Sequence, residues 1–173
     1  MSESYAQEAD SSGRGMVHIH PPLLAAGLLL LGLLLHLLGR HPRHVFLFHQ
    51  LFGLLLVAAG SGLSSYAAAL FTARDTTRNP YGEPAAFVIA PPYTVTRNPM
   101  YVGLASILFG FAIFVGSPVM LLMTIVFVAV IDRMVIVQEE ATMERLYGQQ
   151  YRDYKSCVGR WLRLPVLPRS WSP

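Results

Sequence analysis

The feature that most restricts this chain is its set of long apolar segments. Ile19–Leu38 is leucine-rich and carries no Asp, Glu, Lys or Arg. Its length matches the roughly 20 residues a helix needs to cross a bilayer core. Val45–Phe71, Met100–Val115 and Val119–Val137 have the same character, the last interrupted by Asp132 and Arg133. Backbone exposed to lipid must satisfy its own hydrogen bonds, so such segments fold as helices. Composition agrees: 53% of the 173 residues are hydrophobic and 13% are charged, about half the charged share of a soluble domain.

The expected fold is therefore all-α and integral to a membrane, with about four transmembrane helices. Pro21 and Pro22 suit the first turn of the first helix, where missing N–H groups cost nothing. Gly60, Ser61, Gly62, Ser64 and Ser65 give the second run small residues that let helices approach closely. Gly116-Ser117-Pro118 leaves room only for a tight turn, so the last two spans form an antiparallel hairpin. The chain divides into a polar, disordered tail (1–16), two spans (17–72), a hydrophilic loop (73–99), the hairpin (100–137) and a C-terminal segment (138–173). The loop holds Pro80, Pro84, Pro91, Pro92 and Pro99 and cannot be one helix. Phe87, Val88, Ile89 and Tyr93 anchor it, and an ordered loop of this length is usually functional. Gln138–Lys155 reads as an amphipathic helical segment with Leu146, Tyr147, Tyr151 and Tyr154 at helical spacing and a bend at Gly148. Trp161 and Trp171 among Arg160, Arg163 and Arg169 give the end an interfacial composition.

Several function classes fall away. The net charge of +3 is not gathered into a basic patch on a soluble fold, which argues against nucleic-acid binding. A single cysteine, Cys157, allows neither an internal disulfide nor a thiolate metal cluster. His18, His20, His41, His44 and His49 have no carboxylate among them and read as turn or interfacial residues rather than metal ligands. No basic leader with a small-residue cleavage site precedes the first run. A small transporter would show repeated spans with broken polar centres.

Eleven of the thirteen Lys and Arg residues fall on the side that holds both termini and the 73–99 loop, against Arg40 and Arg43 on the other. The positive-inside rule then puts both termini and the loop in the cytoplasm. It also gathers the chain's unusual polar residues at one membrane edge. An antiparallel hairpin brings Arg97-Asn98-Pro99-Met100-Tyr101 opposite Asp132, Arg133, Glu139 and Glu140. A guanidinium can clamp a carboxylate, and an acidic pair can attract a cation, so a ligand bearing both groups, such as a sulfonium amino acid, suits this place. The plainer alternative is that Arg97 pairs with Glu139 or Glu140.

Tyr93-Thr-Val-Thr-Arg97-Asn98-Pro99-Met100-Tyr101-Val102-Gly103 resembles the G-x-Y-x-x-x-R-[HN]-P-x-Y-x-G motif of the isoprenylcysteine carboxyl methyltransferase and phospholipid methyltransferase-like membrane enzymes. Glu139-Glu140, Met143, Tyr147-Gly148, Tyr151 and Tyr154 are similar to that family's E-E-x-x-L-x-x-x-F-G-x-x-Y-x-x-Y, and Val158, Arg160 and Trp161 fit the tail that follows. The likeness runs from Thr76 to Trp161. It departs at Pro91-Pro92, which replaces a glycine-containing turn, at Asn98, where the eukaryotic enzymes have histidine, and at Val135, where they carry a substrate-side arginine.

The resemblance implies S-adenosyl-L-methionine-dependent methylation without a Rossmann domain, in a bacterial-type member of the inner membrane, on a lipophilic or small acceptor. It implies cofactor contacts from the backbone of Ala85, Ala86, Phe87 and Val88, and from Tyr93, Arg97, Asn98, Pro99, Met100, Tyr101 and Glu139. No metal is implied. Arg97 is assigned to the methionyl carboxylate and Glu139 to the amino or sulfonium end. Arg133 is assigned to the acceptor head and Glu140 to a base for an amine acceptor. The competing reading is a non-catalytic membrane protein of this fold, an accessory or lipid-binding subunit.

Overall fold

The computed structural model describes residues 19–39, 46–75 and 90–162. Among them every regular element is helical: α1 (Pro21–Leu38), α2 (Leu47–Asp75), α3 (Pro99–Val115), α4 (Pro118–Val130), a π-helical turn (Ile131–Ile136) and α5 (Val137–Cys157). Pro21 and Pro22 begin α1, Pro99 begins α3 and Pro118 begins α4. Each uses proline where the helix has no N–H to lose. Three helical stretches are long and apolar enough to cross a membrane, Pro21–Leu38, Leu47–Leu70 and the continuous Pro118–Cys157, and α3 is a shorter apolar helix of 17 residues. The chain is an all-α integral membrane protein. The 1–16 tail and most of the 73–99 loop lie outside the described residues.

The hairpin turn is built from its three residues in order. Gly116 sits at φ 68° and ψ 38°, a left-handed conformation that glycine adopts without steric cost. Its N–H bonds the Ile113 carbonyl at 3.1 Å, and the Ser117 N–H bonds Ala112 O at 2.9 Å, which closes α3 with the paired bonds of a Schellman cap. Ser117 Oγ then accepts from Met120 N at 3.3 Å and caps α4.

α2 and α3 make the most extensive contact in the molecule. Gly53 and Gly60 of α2 face Gly110 and Gly103 of α3, and a Cβ built on Gly60 would stand 2.6 Å from Gly103 O. Ser64 lies against Gly103, whereas Gly62 has open space around it. The small-residue expectation thus holds for Gly60 and Ser64 and not for Gly62, and Gly53 belongs to the contact. The main core gathers Ala25, Tyr101, Leu108, Phe127, Ile131 and Ile136, with Val135 packed on its edge.

The returning span differs from a hairpin arm followed by a separate cytoplasmic helix. It runs unbroken from α4 through the π-helical turn into α5. Gly148 is the one interior break, at φ 54° and ψ −123°, and it bends α5 where a bend was expected.

Candidate active site

The polar residues of the motif and of α5 meet at one end of the bundle. Pro99, buried at the first position of α3, fixes where the helix starts. Arg97 and Asn98 therefore stand just outside it, and Tyr101 turns into the bundle. The Tyr101 hydroxyl donates to Glu139 Oε1 at 2.6 Å. Arg97 Nη1 lies 3.0 Å from Glu140 Oε1, with the two side chains 9% and 7% exposed. The arginine thus faces Glu140, and Glu139 belongs to Tyr101. Adjacent residues on a helix point about 100° apart, so only one of the two glutamates can meet Arg97.

Glu140 is the most enclosed carboxylate of the group. Arg160 grips both of its oxygens, Nε to Oε1 at 3.1 Å and Nη2 to Oε2 at 2.8 Å, and Lys155 Nζ stands 3.7 Å from Oε2. Glu140 is thus buried and ion-paired on both oxygens, to Arg97, Arg160 and Lys155. Arg160 continues to Asp132, with Nη1 at 3.2 Å from both carboxylate oxygens, and Trp161 Nε1 donates to Asp132 Oδ1 at 2.9 Å. The bonds from Glu140 hold the Arg160 guanidinium above its ordinary pKa, more than burial lowers it, so it stays charged.

The C-terminal segment is also bonded to the motif through backbone. Arg97 N–H donates to Gly159 O at 2.9 Å. Thr96 Oγ1 and Asn98 Nδ2 both donate to Arg160 O, at 3.1 and 3.0 Å. Asn98 therefore spends one side-chain N–H on the chain itself. Tyr93 is held from both sides, its hydroxyl donating to Ala67 O at 3.3 Å and its carbonyl accepting from Tyr154 at 2.7 Å. The Pro91-Pro92 peptide bond ahead of it is cis. Tyr151, Tyr154, Cys157 and Val158 form a second buried core beneath these contacts, with Met143 and Tyr147 on its margin.

Arg97 retains unused capacity. Tyr151 bonds its guanidinium, but Nε and Nη1 are buried without a hydrogen-bond partner among the described residues, the Glu140 contact being off the bonding direction. Buried donors of this kind are costly unless something accepts from them. Met100 is half-buried against the main core. Arg133 stands apart, its side chain 85% exposed and 3.9 Å from Asp132 Oδ2. It lies at one end of an open groove of about 470 Å³ along α4, lined by Phe109, Leu121, Thr124, Ile125 and Val128. Ala85, Ala86, Phe87 and Val88 lie outside the described residues, as do His18, His41, His44 and Trp171. Among the described residues no cluster of three His, Cys, Asp or Glu is placed to hold a metal. Sequence reasoning gave Thr96 no role and placed Arg160 only in the tail after the second motif and among the interfacial cations. The signal was the Gly159-Arg160-Trp161 run, which composition alone reads as interfacial.

A bundle of apolar helices with a buried, charge-linked cluster at one end defines an integral membrane protein with a polar site at its rim. The profile of the phospholipid methyltransferase family matches residues 48–150, well over half of the chain, and the chain belongs to that family. An uncharacterized protein of Haemophilus influenzae is 38% identical over 63 residues, which are all of that protein and 36% of this chain. No solved structure matches.

Proposed function

We propose that the chain is an S-adenosyl-L-methionine-dependent methyltransferase that modifies a lipophilic acceptor at the cytoplasmic membrane face. The observation that carries this reading is Arg97: a guanidinium about nine-tenths buried, with two N–H-bearing nitrogens that nothing accepts from among the described residues, beside the Tyr101–Glu139 pair. An amino acid with a carboxylate and a nearby cationic end matches that charge pattern. Family membership supports methyl transfer as the chemistry.

Arg97 would hold the carboxylate of the cofactor, and Glu139 would face its amino or sulfonium end. Tyr93 and Tyr101 would line the site. When bound, the cofactor supplies an electrophilic methyl group, so the protein's share is alignment and charge. Asn98, Pro99 and Met100, at the start of α3, would complete the cofactor contacts. The groove along α4 gives an acyl or prenyl chain a route from the bilayer, with Arg133 at its polar end for an anionic or polar head. A carboxylate or thiolate acceptor fits best because it attacks without first losing a proton, whereas an amine would call on Glu140, which is ion-paired to Arg97 and Arg160.

The test is equilibrium binding of S-adenosyl-L-methionine to the detergent-solubilised protein. Arg97→Ala and Glu139→Ala are each expected to weaken it at least tenfold. Wild-type affinity in both variants would sink these assignments. Absence of binding by the wild type would favour a non-catalytic subunit.

A further inference from the structure

We infer that Arg160 is a positioning residue that keeps Arg97 open to an anionic ligand, an inference that rests on the cofactor reading above. Two guanidinium groups compete for one buried carboxylate. Arg160 presents Nε and Nη2 to the two oxygens of Glu140 as a fork, at 3.1 and 2.8 Å, the geometry in which arginine binds a carboxylate most strongly. Arg97 reaches the same carboxylate only with Nη1, at 3.0 Å and off the bonding direction, and its Nε has no acceptor among the described residues. Arg97 is thus held by charge beside Glu140 while its donors stay available.

Arg160 can win this competition because it is itself fixed. Asp132 on the π-helical turn takes its Nη1 at 3.2 Å. Thr96 and Asn98, the residues on either side of Arg97, hold its carbonyl. The family match ends at residue 150, ten residues before this arginine. Without Arg160, the vacated oxygens of Glu140 are free to close a forked pair with Arg97 and take up the donors a ligand carboxylate needs.

Binding of S-adenosyl-L-methionine and of its decarboxylated analogue to the full chain in detergent tests this. Arg160→Ala should weaken the cofactor at least tenfold and leave the analogue within about twofold, because only the carboxylate depends on Arg97. Adding Glu140→Gln to Arg160→Ala should restore most of the loss, since a neutral amide no longer draws Arg97 away. Arg160→Lys, which keeps the charge but not the fork, should fall between, and it serves if the alanine variant does not fold. Equal weakening of both ligands, or no recovery in the double variant, would mean that Arg160 only supports the fold, and would overturn the inference while leaving the cofactor reading intact. If Arg97→Ala still prefers the cofactor over the analogue, the assignment of Arg97 fails first and this inference with it.

Discussion

At the scale of single residues, the site is decided by which glutamate meets which partner. Tyr101 reaches Glu139 at 2.6 Å while Arg97 lies against Glu140, so the two carboxylates have separate roles despite being neighbours. Tyr101→Phe removes the donor, and because Glu139 is exposed to solvent a water can replace it, so the loss is that of one net hydrogen bond, about 0.5–1.5 kcal/mol. We expect a lower thermal midpoint and weaker cofactor binding, and binding measured in parallel with Glu139→Gln checks whether the two losses share one origin. The meeting of arginine and carboxylate was legible from sequence, because hairpin arithmetic alone brings residue 97 opposite residues 133–140. Which glutamate it meets was not legible, since that depends on the rotation of α5 after a π-helical turn. Nor was Arg160: its partners Asp132, Glu140, Thr96 and Asn98 are far from it in sequence, and no periodicity links them.

At the scale of elements, two glycine positions carry the geometry. Gly60 and Gly103 bring α2 and α3 into backbone contact, and a Cβ on either meets a carbonyl at 2.6 Å. Backbone cannot yield as a side-chain tip can, so Gly103→Val should force the helices apart at a cost of about 1–3 kcal/mol or more. A fall in thermal midpoint, with Gly62→Ala as the tolerated control because its surroundings are open, checks this. Gly148 works differently. Nothing lies near its missing Cβ, but its φ of 54° with ψ of −123° suits only glycine. Gly148→Ala should therefore cost about 1–3 kcal/mol through backbone strain, and straightening of α5 would pull Tyr151 and Tyr154 from their core. Reduced cofactor affinity alongside the loss of stability is the expected outcome, and affinity unchanged would separate the bend from the site. The bend itself was legible as a glycine inside a helical pattern. The glycine seam was legible only in part, because composition marks small residues without saying which face they occupy.

At the scale of the whole molecule, the charge distribution predicts orientation. Eleven of thirteen cations on one side argue for a cytoplasmic site. Cysteines placed at Ser4 and at Ser172, in a chain whose buried Cys157 is replaced by alanine, should both be shielded from an impermeant thiol reagent in intact cells and react after permeabilisation. Labelling of either in intact cells would reverse the topology. By itself the sequence determined the class of fold, because apolar length and the need to satisfy backbone hydrogen bonds in lipid leave little but helices. It also determined the turn at Gly116-Ser117-Pro118, whose cap, N-cap and proline act through local bonds. The tertiary structure alone decided how the polar residues are shared out. The C-terminal segment returns to the motif through Arg160, and that pairing is set by competition among several buried charges in three dimensions, which no spacing along the chain encodes.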